Sequence, residues 1–215
     1  MTPVPPPIRI ALATTNRHKV REIAEILAPF GLEVHVPASL PEVDETGDSF
    51  EANAVLKAAS AAAHLGRPAL ADDSGIVVDA LGGAPGIHSA RYAGPRATDE
   101  ANREKLLAEV ARRGLVDPAA AFVCAAVVVG ADGTLLGKAV GRVEGFVRGP
   151  ARGTNGFGYD PIFHHVSARH PAPGLRFAEL TDAQKHAISH RGIALRALVD
   201  VLRSVGERGA SRSEG

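Results

Sequence analysis

The chain has 215 residues, a length that suits one large domain or two closely packed lobes. Its 24 Lys plus Arg balance 24 Asp plus Glu, which argues against a nucleic-acid scaffold but leaves room for a small anion held by a few local cations. No apolar stretch reaches the ~18 residues of a membrane span, the start Met1 to Pro7 lacks a signal pattern, and the lone Cys124 excludes a disulfide within the chain; a cytoplasmic protein is expected.

In chain order, Ile8 to Ala13 reads as a short strand, following a proline-rich extension. Thr14-Thr15-Asn16 supplies turn and capping groups. Val20, Ile23, Ala24 and Leu27 then recur at helical spacing, predicting a helix from Arg17 to Ala28. Leu32 to Val36 alternates as a strand, and Pro37 to Gly47 is an acidic loop. Asp48 or Ser49 can cap a second, Ala-rich helix that stops at Gly66. Ala69 to Ala71 is a short strand broken by a turn at Asp72-Asp73-Ser74-Gly75, with extended structure resuming at Ile76 to Val78. Gly82 to Gly94 is a loop. Thr98 caps a third helix ending near Gly114. Ala121 to Val129 and Leu135 to Val147 form a hairpin across Asp132-Gly133. Gly149 to Pro161 is a Gly-rich loop. Thr181-Asp182-Ala183-Gln184 is a capping box, and Ser189 caps a last helix with Ile193, Leu195, Leu198 and Leu202 on its apolar face. With aromatics at only 4% and no Trp, the core must rest on Ala, Val, Leu and Ile. Helices and strands mix, so the fold class is α/β.

Five stretches could carry chemistry. Thr14, Thr15, Asn16, Arg17, His18 and Lys19 lie where a strand delivers the chain to a helix start, a place that attracts anions; alone, this reads more readily as a capped helix with solvated charges. Asn53 and Lys57 share a helix face, near an acidic cluster of Glu42, Asp44 and Glu45 that could supply a metal ligand. Asp72 and Asp73 are adjacent carboxylates, costly to bury without a cation and of the type magnesium prefers. In Gly153 to Pro161, glycines permit close backbone approach, and Phe157 and Tyr159 could stack a flat base whose edge Asp160 could meet. Lys185, with Ser189-His190-Arg191 at a helix start, suits anionic or carbonyl groups.

The order and combination of Ala71-Asp72-Asp73-Ser74-Gly75, Gly82-Gly83-Ala84-Pro85-Gly86-Ile87, Ser89-Ala90-Arg91-Tyr92, Gly156-Phe157-Gly158-Tyr159-Asp160-Pro161 and Ser189-His190-Arg191 resemble the inosine triphosphate pyrophosphatase family, also called XTP/dITP pyrophosphatases. The match runs from about Ile8 to Leu202. The resemblance implies an elongated, two-lobed α/β fold with a long central mixed sheet flanked by helices and an active-site cleft between the lobes. It implies a homodimer. One domain would span residues 1–205, with a disordered tail at 206–215. It implies hydrolysis of ITP, dITP or XTP at the α-phosphorus, with magnesium (manganese as the alternative) and release of pyrophosphate. By the same resemblance Asp73 is the catalytic acid–base and a metal ligand, and Glu45 a metal-side carboxylate. Thr14 to Lys19 and Lys57 face phosphates. Ser74, Phe157, Gly158, Tyr159, Asp160, Lys185, His190 and Arg191 contact substrate.

Three positions depart from the family's pattern. Thr15 stands where Gly or Ser is usual, Glu51-Ala52 precede Asn53 where Glu is usual, and His88 replaces a usual Tyr. Two rival readings remain: an enzyme of similar architecture acting on other nucleotides, such as the Maf-like pyrophosphatases, and a nucleotide-binding sensor without catalysis.

Overall fold

The apolar run at the start of the chain forms strand β1 (Ile8–Leu12), and Asn16 then caps helix α1 (Arg17–Leu27) by accepting from the His18 and Lys19 amides. A 3-10 turn at Ala28–Phe30 ends on Gly31 in the left-handed region and leads into β2 (Leu32–His35). The structure, a computed structural model, describes residues 8–166 and 174–210. The extension expected at 1–7 lies outside them.

Ser49 caps α2 (Phe50–Leu65), and Gly66 terminates it at φ 62°. The chain continues into β3 (Ala69–Val78), two 3-10 turns at Asp79–Leu81 and Gly86–Arg91, and α3 (Asp99–Arg112), capped by Thr98. Strands β4 (Ala119–Val129) and β5 (Leu135–Val147) follow, joined by a turn in which Gly130 and Thr134 bond across Asp132-Gly133. The short β6 (Phe163–His165), not expected from sequence, pairs antiparallel with β5, Phe146 opposite His164. The capping box at Thr181 and Gln184 opens α4 (Asp182–Ile188). Instead of one final helix there are two, α5 (His190–Ala197) and α6 (Val199–Ala210).

The six strands lie in the order β2-β1-β3-β4-β5-β6. β1 runs parallel to both β2 and β3, so α1 and α2 are the crossovers that parallel pairing requires; with the antiparallel β5–β6 pair the sheet is mixed.

The chain divides into two compact units. One comprises 1–73, 125–139 and 194–215; the other comprises 74–124 and 140–193. The first has a core of small side chains: Ala54, Ala58, Ala61 and Ala62 recur on one face of α2 against Ala11, Ala69, Ala71 and Val127. The second departs from the expected aliphatic core. Phe122, Phe163 and Phe177 pack together, Phe122 edge-on to Phe163 at 4.6 Å and stacked on Phe177 at 5.6 Å. Few aromatics are present, but they are concentrated here.

Helix α6 takes in the first part of the segment expected as a tail from Gly206. α6 continues to Ala210 because buried Leu202 and Val205 extend its apolar face, and Gly206 is where the helix passes close to Ile8. Residues 211–215 lie outside those described.

Candidate functional site

Asp72-Asp73-Ser74-Gly75 is no turn, contrary to the sequence expectation. It lies inside the ten-residue strand β3. Gly75 serves close approach rather than bending. A Cβ there would sit 2.6 Å from the Gly86 carbonyl oxygen and strike the Ser89 hydroxyl, which accepts from the Ile76 amide at 3.0 Å and donates to Gly86. Successive side chains of a strand point to opposite faces, so the two aspartates meet different partners. Asp72 is held by Lys19 of α1, Nζ to Oδ2 3.1 Å. Asp73 is held by Lys57 of α2, Nζ to Oδ1 2.7 Å.

Lys57 also reaches Glu45 at 3.0 Å, so one ammonium joins the two carboxylates singled out as metal-side groups. Burial pushes the Asp73 carboxyl up from its ordinary value, and the opposing charges of Lys57 and Lys19 do not fully offset it. Burial alone would lower Lys57, but Asp73, Asp72 and Glu45 outweigh it and hold the ammonium above its usual range. Asp73 Oδ2 is buried and has no hydrogen-bond partner among the described residues. A carboxylate oxygen in that condition calls for a cation or a proton, and the all-oxygen donors of Asp73 and Glu45 suit a hard divalent ion. Among the described residues no three His, Cys, Asp or Glu side chains form a cage.

In the segment from Thr14 to Lys19, expected as an anion site, the helix-start amides are already engaged. The His18 and Lys19 amides already donate to Asn16 Oδ1, and the Asn16 amide donates to the Thr14 hydroxyl. What the segment offers an anion is therefore mainly side chains: Thr15, Asn16, Arg17 and His18 are exposed, and Lys19 is aimed at Asp72. Glu51, the displaced helix carboxylate, pairs with Lys138 at 2.6 Å on the surface.

A second constellation belongs to the other unit. Arg191, buried at the start of α5, donates to Ser74 Oγ at 2.8 Å. Phe157 is partly exposed, with the Lys185 ammonium 5.2 Å and the Arg191 guanidinium 5.6 Å from its ring centre. Asp160 is buried; its Oδ2 takes the Lys185 ammonium at 2.6 Å and the Phe157 amide at 2.8 Å. Gly156 is required beside it, since a Cβ would strike that oxygen. His190 is buried and stacked on Phe122 at 4.7 Å. Tyr159, grouped by sequence with the stacking aromatics, instead enters the core, where its hydroxyl donates to the Ser89 carbonyl at 2.9 Å and burial holds that hydroxyl far above its usual range.

Asn53, singled out with Lys57 in the sequence, plays a supporting part, and the roles of Ser89, Asp99 and Arg103 were not foreseen. Asn53 Oδ1 accepts from the Gly47 amide at 2.8 Å, tying the loop that carries Glu45 to α2. Ser89 and, on α3, Asp99 and Arg103 hold backbone around the second constellation. The i, i+4 spacing of Asp99 and Arg103 was legible, but nothing in one sequence says what that helix faces.

The chain is similar to known proteins in family, sequence and fold. A model of the Ham1 family matches residues 10–201. A dITP/XTP pyrophosphatase of Yersinia pseudotuberculosis is 49% identical over 199 residues, which cover 91% of this chain and 98% of that protein. The dITP/XTP pyrophosphatase of Methylococcus capsulatus is 45% identical, covering 92% and 97%. The solved structure of a HAM1 protein from Coxiella burnetii superposes with a TM-score of 0.79 at 39% identity, covering 92% and 99% of the two chains.

Proposed function

The chain belongs to the Ham1 family, and from that premise we propose that it hydrolyses the non-standard purine nucleoside triphosphates ITP, dITP and XTP to monophosphate and pyrophosphate, clearing them before they enter DNA or RNA. The observation that carries the reading is the Glu45–Lys57–Asp73 array with its bare, buried Asp73 Oδ2.

Asp73 and Glu45 are the residues that would hold magnesium, or manganese in its place; once bound, such an ion offsets phosphate charge and lowers the pKa of water. Lys19 and Lys57 add positive charge where charge builds on the phosphates in the transition state. Asp73, ionised, orients the attacking water and accepts its proton at Oδ2. The water oxygen bonds to the α-phosphorus, the bond to the α–β bridging oxygen breaks, and pyrophosphate departs with that oxygen. Ser74, bonded to Arg191, faces the sugar–phosphate side, and Asp72 sets the position of Lys19.

Phe157 offers a ring for the base. Lys185 and Arg191 carry only donors, and His190 adds another. An oxygen at purine position 6 accepts from such groups, whereas the amino group of adenine presents a donor to donors. Asp160, spent on Lys185 and the Phe157 amide, shapes this pocket. The two compact units together form one nucleotide pyrophosphatase domain, and the molecule works as a cytoplasmic homodimer. No helix among the described residues is long and apolar enough to cross a membrane.

A pyrophosphate-release screen over ITP, dITP, XTP, ATP, GTP, dUTP and dTTP, with and without chelator, tests the reading. Preference for the deaminated purines that disappears with chelator is expected. Equal turnover of the pyrimidines, or binding without pyrophosphate release, would overturn it.

A further inference from the structure

Helix α3 grips the loop that carries Phe157 at Gly158. Gly158 adopts φ +60°, in the left-handed region. Its amide donates to Asp99 Oδ2 at 2.7 Å, and its carbonyl accepts from an Arg103 terminal nitrogen, also at 2.7 Å. Asp99 and Arg103 are four residues apart and so share a face of α3. Both bonds involve an ionised side chain, the stronger kind of hydrogen bond. Between them, Asn102 anchors the same helix, accepting from the Ala93 amide at 2.8 Å and donating to the Ala90 carbonyl at 3.1 Å.

The neighbours of Gly158 are tied as well. The Phe157 amide is held by Asp160, and the Tyr159 hydroxyl by the Ser89 carbonyl. Backbone on both sides of the Phe157 ring is thereby fixed, although α3 contributes no side chain to the proposed substrate contacts. Without the Gly158 bonds a left-handed glycine is free to change its dihedrals, and the plane of the preceding ring changes with them.

We propose that Asp99 and Arg103 are positioning residues for base selection: by clamping both backbone groups of Gly158 they fix the plane of Phe157 and so determine which purine the enzyme prefers. This rests on the reading of Phe157 as the base-stacking ring.

The test compares Asp99→Ala, Arg103→Met, the double variant, Asp99→Asn and Phe157→Ala. Measured are KM and kcat for dITP and dATP, the inhibition constant of pyrophosphate, and thermal unfolding. In Asp99→Ala and Arg103→Met the KM for dITP should rise about tenfold, with kcat changing less and the dITP-over-dATP preference shrinking. Pyrophosphate, which lacks a base, should bind as in the wild type. The double variant should fall well short of the product of the single effects, since both changes release the same residue. Asp99→Asn keeps an acceptor for the Gly158 amide and should recover most of the loss. Loss of pyrophosphate affinity in step with dITP would reduce the clamp to general structural support and overturn the proposal. Wild-type KM and preference in clamp variants, with a raised KM in Phe157→Ala, would overturn the clamp alone. A Phe157→Ala enzyme with unchanged KM for dITP would overturn the stacking reading beneath it.

Discussion

Lys57 holds two carboxylates at once, and its removal has separable consequences. In the proposed mechanism Asp73 must be ionised to take a proton from water, yet burial raises its carboxyl above the ordinary value and the Lys57 charge opposes that rise. In Lys57→Met the opposing charge is gone. The acid limb of kcat/KM should therefore move to higher pH, by about one unit or more, and kcat should fall ~100-fold or more for loss of a preorganised cation; a pH–rate profile of the two enzymes checks both. Asp73 also links to stability. A raised carboxyl binds its proton more tightly in the folded than in the unfolded chain. Stability therefore falls as pH rises from the ordinary aspartate value through the raised one, by at most ~1.4 kcal/mol per pH unit. Asp73→Asn should abolish turnover and remove this component of the slope, as read from urea unfolding across that acid window.

At the scale of elements, Asp73, the carboxylate proposed as catalytic, is placed by strand β3 rather than by a turn. The sequence Asp-Asp-Ser-Gly carries every local mark of a turn, and none of its residues favours a strand. It is extended because its neighbours demand it: Lys19 and Lys57 draw the aspartates to different partners, and the 3-10 turn at Gly86–Arg91 lies against Gly75. Gly75→Ala should consequently cost about 1–3 kcal/mol, since the added methyl meets backbone at Gly86 that has little room to yield. In a chain of this size that is a fall in Tm of about 2–4 °C for each kcal/mol. Calorimetry showing an unchanged Tm would contradict the close packing described. Most other elements were legible because their signals are local: the caps at Asn16, Ser49, Thr98 and Thr181, the stop at Gly66 and the Asp132-Gly133 turn. The three-residue β6 was not, since its partner β5 lies about twenty residues away in the chain.

For the whole molecule, the two constellations meet in the covalent chain at Asp73–Ser74, where the division into two units also falls. Inosine monophosphate and pyrophosphate, supplied with magnesium and each at about 100 times its Kd, should each add ~2.7 kcal/mol and together raise Tm by about 10–20 °C. Chelator should remove the pyrophosphate-dependent part of that gain while leaving the monophosphate-dependent part largely intact. Light scattering of the purified protein checks the homodimer.

Sequence alone determined the α/β class, the caps and most helix limits, and the family, because these rest on local propensity and on motifs whose order is legible in one dimension. It also named Asp73, Glu45, Lys57, Phe157 and Arg191. Only the tertiary structure decided how those residues are engaged. Asp72 pairs with Lys19 while Asp73 pairs with Lys57, Asp160 is committed to Lys185, Tyr159 is a core residue, and the His18 and Lys19 amides are already capped. The physical reason is that hydrogen-bond partners and burial depend on residues tens of positions apart, and a linear spacing carries no record of which face a side chain takes or which donor it meets there.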